Sequence, residues 1–302
     1  MTRSRASESP SEPGVGHYKP HLHDLLRALR LDIPYHRAEG EWVYYYDELN
    51  REVQVLDLVG GYGSLLLGHG HPDLNAEAIR FLTTGCCNRV QGSVNRLAGQ
   101  VAAELSRRIA RDCCLVLANS GAEAVEAAMK HALLETGGQT FFTLERAFHG
   151  KTLATQQLMA RPLYRDPVAL DGLSVVPLRP NDVAQLESEF ARVRRPAGFI
   201  FEPIQGEGGI RPVSAEFLRR AADLCAARQI PFIADECQTG LGRTGSFLAS
   251  QTLGLRPDYI ILSHHLAVPI QVFGLPPIAG HPRCDSLHFA ASGVVVSFGR
   301  RR

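Results

Sequence analysis

Lysine is nearly missing from this chain. Only Lys19, Lys130 and Lys151 carry an amine side chain, and the half of the sequence beyond Lys151 has none, so chemistry that needs such an amine has three positions to draw on. An excess of one charge is missing too. The 32 basic and 31 acidic residues give a formal net charge of +1, which leaves no electrostatic case for nucleic acid or an acidic membrane surface. The ending Gly299-Arg300-Arg301-Arg302 is too short to alter that. No apolar run approaches the roughly 20 residues that span a bilayer, and the N-terminus lacks an apolar signal core, so the cytoplasm is the expected compartment. Cysteine is present, but Cys86-Cys87 and Cys113-Cys114 are adjacent pairs, spaced neither as zinc ligands nor as a redox motif. They read as small apolar residues under reducing conditions, and no metal site is expected of them or of His69 and His71.

With 302 residues and 45% hydrophobic content, the chain is long enough for one large domain or two ordinary ones. Residues 1–20, rich in Ser, Pro, Gly and Glu, read as a flexible arm. The spacing of Leu22, Leu25, Leu26 and Leu29 predicts a short amphipathic helix, and residues 41–58, aromatic and β-branched around Asp47-Glu48, predict a hairpin. Downstream, strands at 114–119, 140–145, 174–178, 198–203, 231–236 and 258–262 alternate with helices at 121–135, 182–194 and 214–228. That pattern implies an α/β fold, a mainly parallel sheet with helices on both faces. Ligands in such folds bind beyond the carboxyl ends of the strands.

Several segments carry chemistry. In NSGAEAVEAAMKHA (119–132) a small-residue turn joins a strand to an alanine-rich helix; the first amides and the positive dipole end make an anion site that Ser120, Gly121 and Ala122 are small enough to leave open, and an ordinary cap by Asn119 or Ser120 is the alternative. AFHGKT (147–152) presents Phe148 and His149 before a glycine. EPIQGEGG (202–209) places Glu202 and Glu207 around a glycine-rich bend. In FIADECQTGLGRTG (232–245) Asp235 ends an apolar strand, where a carboxylate needs a cationic or hydrogen-bonding partner. GGYG (60–63) fails as a dinucleotide loop, because Leu66 stands at the third glycine position.

In this order the segments, with LGHGHPDL (67–74), resemble the class III aminotransferases, fold-type-I enzymes that use pyridoxal 5'-phosphate (PLP), over roughly Asp57 to Ser263. The resemblance implies a PLP-binding large domain at 57–263, a small domain that starts at 21–56 and is incomplete, and an atypical tail at 264–302. By the same resemblance Ser120, Gly121 and Ala122 hold the phosphate, Phe148 stacks on the pyridine ring, and His149 lines the pocket. Asp235 pairs with the ring nitrogen, Gln238 donates to the phenolic oxygen, Cys237 lies under the ring, and Glu202 and Glu207 face the substrate side. The implied reaction moves an amino group from an ω-amino or diamino acid to a 2-oxo acid, in a homodimer whose sites lie at the subunit interface.

One departure is abrupt. The family holds PLP as a Schiff base on a lysine shortly after the strand at 258–262, and here Ser263-His264-His265 stands in its place. Imidazole can move a proton but cannot form a stable imine, and Lys151 is not expected to reach the aldehyde. The tail, broken by Pro269, Pro276, Pro277 and Pro282, has neither the family's glycine run nor helical periodicity. A disrupted frame or alternative end, or a natural variant that has abandoned the chemistry, accounts for it. An impaired aminotransferase is the expectation; a PLP-binding pseudo-enzyme that partners an intact paralogue, and an aminomutase or decarboxylase, are the rivals.

Overall fold

The computed structural model describes residues 20–85, 94–159, 165, 167, 169–263 and 293–297. They form two compact units: the described residues up to Val59 with Leu67–His71, and Gly60–Leu66 with the described residues from Pro72 onward.

The smaller unit contains helix α1 (Pro20–Ala28) and an antiparallel sheet of β1 (Arg37–Glu39), β2 (Trp42–Tyr46) and β3 (Glu52–Leu56) in that order. The expected hairpin is β2–β3, turned where Asp47 Oδ1 accepts from the amides of Leu49 and Arg51. None of its described residues is buried, and Leu25 and Leu29 of the helix region are more than half exposed.

The larger unit is built on a seven-stranded sheet in the order β4 (Cys114–Ala118), β12 (Gly293–Ser297), β11 (Tyr259–Leu262), β10 (Phe232–Asp235), β7 (Pro196–Phe201), β5 (Thr140–Leu144), β6 (Ser174–Leu178), and also contains the antiparallel pair β8 (Ile204–Gln205) and β9 (Arg211–Pro212) and the short helix α5 (Leu153–Gln157). Every pairing within the seven-stranded sheet is parallel except those of β12, which runs antiparallel to both β11 and β4. All the other strands therefore end on one edge. Helices cover both faces, as the alternation of elements predicts. On one face lies α4 (Gly121–Thr136), whose Ala124, Val125, Ala128, Met129 and Ala132 are buried against Phe141, Ile200, Ile233, Ile261 and Val295. Three of these five are alanines, small enough to let the helix backbone approach the sheet closely. On the other face, α6 (Val183–Arg192) and α7 (Ala215–Arg228) pack Leu186, Phe190, Phe217 and Leu218 on Phe142, Phe199, Phe201 and Phe232. Rings of Phe142 and Phe190 stack at 4.1 Å, those of Phe201 and Phe232 at 4.5 Å. Further along this face, Leu105 and Ile109 of α3 (Arg96–Ile109) meet Leu115, Ile260, Leu262 and Val296.

Local chemistry sets the helix ends. Asn95, Ser120, Asp182 and Ser214 cap α3, α4, α6 and α7 by accepting the amide three residues on, and Gly137 closes α4 in the left-handed conformation.

The tail expected to be atypical supplies a strand, and one paired on both sides. Gly293-Val-Val-Val-Ser297 is a short apolar run bounded by glycine, the mark of a strand buried on both faces, and helical periodicity was the wrong signal to seek in it. Helices α2 (Pro72–Thr83) and α3 are likewise additions to the sequence expectation.

Because Val295 is 1% exposed between Ile261 of β11 and Val116 of β4, Val295→Asp is expected to cost more than about 3 kcal/mol through an unpaired buried charge. A urea melt checks this; a midpoint unchanged from wild type would place β12 outside the cooperative core.

Candidate functional site

Five strands deliver side chains to the edge where they end. After β4 the chain enters α4 through Ser120, whose Oγ accepts from Glu123 N at 3.2 Å, while by helix geometry the first-turn amides of Gly121 and Ala122 have no partner within the helix. A Cβ on Gly121 would stand 3.0 Å from Cys237 Sγ and 3.1 Å from Ser263 Oγ, so smallness at this position serves close packing of the turn on the ends of β10 and β11. After β5, Gly150 adopts φ +118° and a Cβ there would meet Ala122 Cβ at 2.4 Å, which presses the 147–150 loop onto the same turn.

A cluster of buried titratable groups lies beneath. Asp235, the last residue of β10, is 4% exposed, and its Oδ2 accepts from His149 Nδ1 at 2.7 Å while Oδ1 accepts from Cys237 N at 3.1 Å. Thr143 Oγ1 lies 3.4 Å from the other ring nitrogen of His149. Burial alone would push the His149 imidazole down, but its bond to Asp235, the charge of Asp235 and that of Glu202 outweigh it, and the net shift is upward. Glu202, directly after β7, is buried; its Oε2 accepts from Phe148 N at 3.0 Å and its Oε1 from Gly206 N at 3.3 Å, stapling the Phe148 loop to the glycine-rich bend. Burial raises its carboxyl to about 7, with the charge of Asp235 adding and that of His149 and the two amides opposing. Burial also pushes the Cys237 thiol well up, with Asp235 adding.

The sequence-predicted residues separate into two groups. Ser120, Gly121, Ala122, Phe148, His149, Asp235 and Glu202 are tied together by the contacts above. Gln238 lies beside Gly206 and donates from Nε2 to Tyr62 O at 3.1 Å. Glu207 is exposed, so the two glutamates of the bend part company. Lys151 sends Nζ to 5.7 Å from the centre of the Phe148 ring. His264 lies outside the described residues. The partner of Asp235 inside the protein is His149, which the sequence placed only as lining. Glu236 was overlooked: fully buried, it accepts from Ala249 N at 2.9 Å, Ser250 N at 2.7 Å and Thr239 Oγ1 at 2.7 Å, and so caps α8 (Ala249–Thr252). Period-two alternation puts it on the opposite side of the strand end from Asp235, a signal the Asp-Glu pair did carry.

A family model, Aminotransferase class-III, matches residues 27–271. The chain belongs to the class III aminotransferases. The match begins before Asp57 and ends after Ser263, so it extends the resemblance at both ends. Among curated relatives, the [LysW]-aminoadipate semialdehyde transaminase of Deinococcus radiodurans is 35% identical over 78% of this chain and 54% of its own length. The acetylornithine aminotransferase of Aquifex aeolicus is 35% identical over 80% of this chain and 64% of its own. The chain thus spans a little over half to just under two thirds of these relatives. An ornithine aminotransferase structure from Toxoplasma gondii superposes with a TM-score of 0.71 at 22% identity, covering 93% of this chain and 63% of the other, which is a likeness of fold.

Class III aminotransferases are PLP enzymes. The residues present fit the phosphate and the ring: a first turn pared to Ser, Gly and Ala, and a buried carboxylate at the adjoining strand end held by an imidazole. The exception is the amine that would hold the aldehyde, since residue 264 is histidine.

Glu202 and His149 give the unit a pH signature. Each has a folded pKa above its ordinary value (4.5 and 6.5), so each contributes stability that is whole below that value and lost as pH rises through the folded one. Through Glu202 the wild type is expected to lose about 3 kcal/mol between pH 4.5 and 7 relative to Glu202→Gln. Urea midpoints of both proteins at pH 5 and pH 8 check this; equal pH slopes would show that Glu202 does not keep its proton in the fold.

Proposed function

We propose that this chain is a PLP-dependent aminotransferase by descent, handling an ω-amino or diamino acid and a 2-oxo acid, that binds the cofactor without a covalent link and is impaired in turnover. The observation that supports this is the meeting of the α4 first turn with the end of β10, where Gly121 packs on Cys237 two residues from Asp235. In this reading the amides of Ser120, Gly121 and Ala122 take the phosphate, and Phe148 stacks on the ring. His149, bonded to Asp235 Oδ2, aims that carboxylate at the ring nitrogen, and Gln238 donates to the phenolic oxygen. PLP, when bound, supplies an electron sink for charge developing at the substrate α or ω carbon. Glu207, exposed on the glycine-rich bend, is available to the substrate, whereas Glu202 acts from below by fixing the Phe148 amide.

The relatives' names favour the ω class, since aminoadipate semialdehyde and acetylornithine both exchange nitrogen at the chain end remote from the α-carbon. The large domain at 57–263, a homodimeric state and a cytoplasmic location are parts of the same proposal. No helix among the described residues is long and apolar enough to cross a membrane. Histidine at position 264 favours one rival, a non-catalytic PLP-binding partner of an intact paralogue; co-purification with a lysine-bearing homologue distinguishes it.

Incubation with PLP followed by dialysis is expected to leave bound cofactor with aldehyde absorbance, and borohydride is expected to leave no stable adduct. Asp235→Ala should weaken retention at least about tenfold, roughly 1.4 kcal/mol. His264→Lys should create a borohydride-stable adduct at residue 264. Failure of the wild type to retain PLP overturns the cofactor assignment, and a stable wild-type adduct overturns the impairment.

A further inference from the structure

Gly60–Gly63 fails as a dinucleotide loop, yet its backbone is unusual: Gly60, Gly61, Tyr62 and Gly63 all have positive φ, at +54°, +59°, +56° and +82°. Glycine reaches that region without steric cost. Tyr62 does not, and the residue is 77% exposed, so burial of its side chain does not account for the strain. The turn's carbonyls face the loop after β10. Tyr62 O accepts from Gln238 Nε2 at 3.1 Å, and Gly63 O accepts from Arg243 Nη2 at 2.6 Å.

Gln238 is confined on several sides at once. A Cβ on Gly63 would meet its Oε1 at 2.8 Å, and a Cβ on Gly206 would meet its Cγ at 3.4 Å, so both glycines make room for this one side chain. A carboxamide is planar. With one N–H engaged by Tyr62 O and Oε1 seated against Gly63, the plane is fixed and the second N–H has a single direction. Reversing the amide would set Oε1 against Tyr62 O, acceptor facing acceptor.

We propose that the Gly60–Gly63 turn is a positioning element for Gln238, holding one Nε2 hydrogen on the Tyr62 carbonyl so that the other is presented to the phenolic oxygen of the cofactor. The proposal rests on the PLP-binding reading and deepens it. A donor at that oxygen favours its ionised form, so losing the donor shifts the pH at which the bound cofactor's absorption changes.

Two measurements test it. In cofactor-free protein labelled with 15N-glutamine, the Gln238 side-chain amide is expected to exchange with solvent at least tenfold more slowly than exposed glutamine amides, and to lose that protection in Gly63→Ala. Exchange as fast as exposed glutamines in the wild type overturns the proposal whether or not PLP binds and whether or not the variant folds. With PLP bound, Gln238→Met is expected to move the spectral pH transition by half a unit or more and Gly63→Ala to move it in the same direction. Tyr62→Gly, which keeps the carbonyl and relieves the strain, is expected to match wild type. A Gly63→Ala transition equal to wild type, or Tyr62→Gly shifting as far as Gln238→Met, overturns the proposal. Absence of bound PLP would instead sink the cofactor reading, leaving the amide-exchange result to decide the turn's role.

Discussion

A carboxylate at the end of a fully buried strand is the constraint from which the site follows. Asp235 lies at the rim of the sheet with 4% of its surface exposed, where an ionised group without a partner would cost several kcal/mol. His149 meets it at 2.7 Å, and that bond ties the end of β10 to the loop after β5. Once the imidazole is committed there, its neighbours are determined as well: Thr143 stands behind it, Phe148 precedes it, and Glu202 takes the Phe148 amide from below. The groups act on one another: the bond to Asp235 and its charge raise His149 against its burial, and burial with the charge of Asp235 raises Glu202.

The second requirement is closeness, met by small residues where loops from different strands touch. Gly121 against Cys237 and Ser263, Gly150 against Ala122, and Gly206 and Gly63 against Gln238 each mark a place where a Cβ would intrude. These contacts bring together the ends of β4, β5, β7, β10 and β11, which share one edge because only β12 runs the other way. The sheet supplies the common edge, and the glycines let the loops converge above it.

Much of this was legible. Strands of four to six apolar residues alternating with capped helices foretold the parallel sheet, and the strand after Pro231 was recognisable from FIAD alone. Ser120 as a cap and Asp235 as a buried acid follow from residue type and position. What escaped has a physical cause in each case. β12 is a five-residue run well beyond the prolines of the tail, and its sequence does not say that its partners are β4 and β11. Glu236 differs from Asp235 only by the side of the strand on which it falls, and its partners, Ala249 and Ser250, are more than a dozen residues away. Glu202 looks like its neighbour Glu207 in the sequence, and only burial separates them.

The sequence by itself determined six strands of the larger unit and the helices between them, their parallel arrangement, the membership of a family and the lack of an amine where that family needs one, because those depend on local periodicity, capping and residue identity. Tertiary structure decided which charge answers Asp235, that Glu202 is a buried staple while Glu207 meets solvent, that the GGYG turn holds Gln238, and that the tail completes the sheet. These are relations between residues from 54 to 183 positions apart, and no local preference encodes a distance that only the folded chain brings down to hydrogen-bond length.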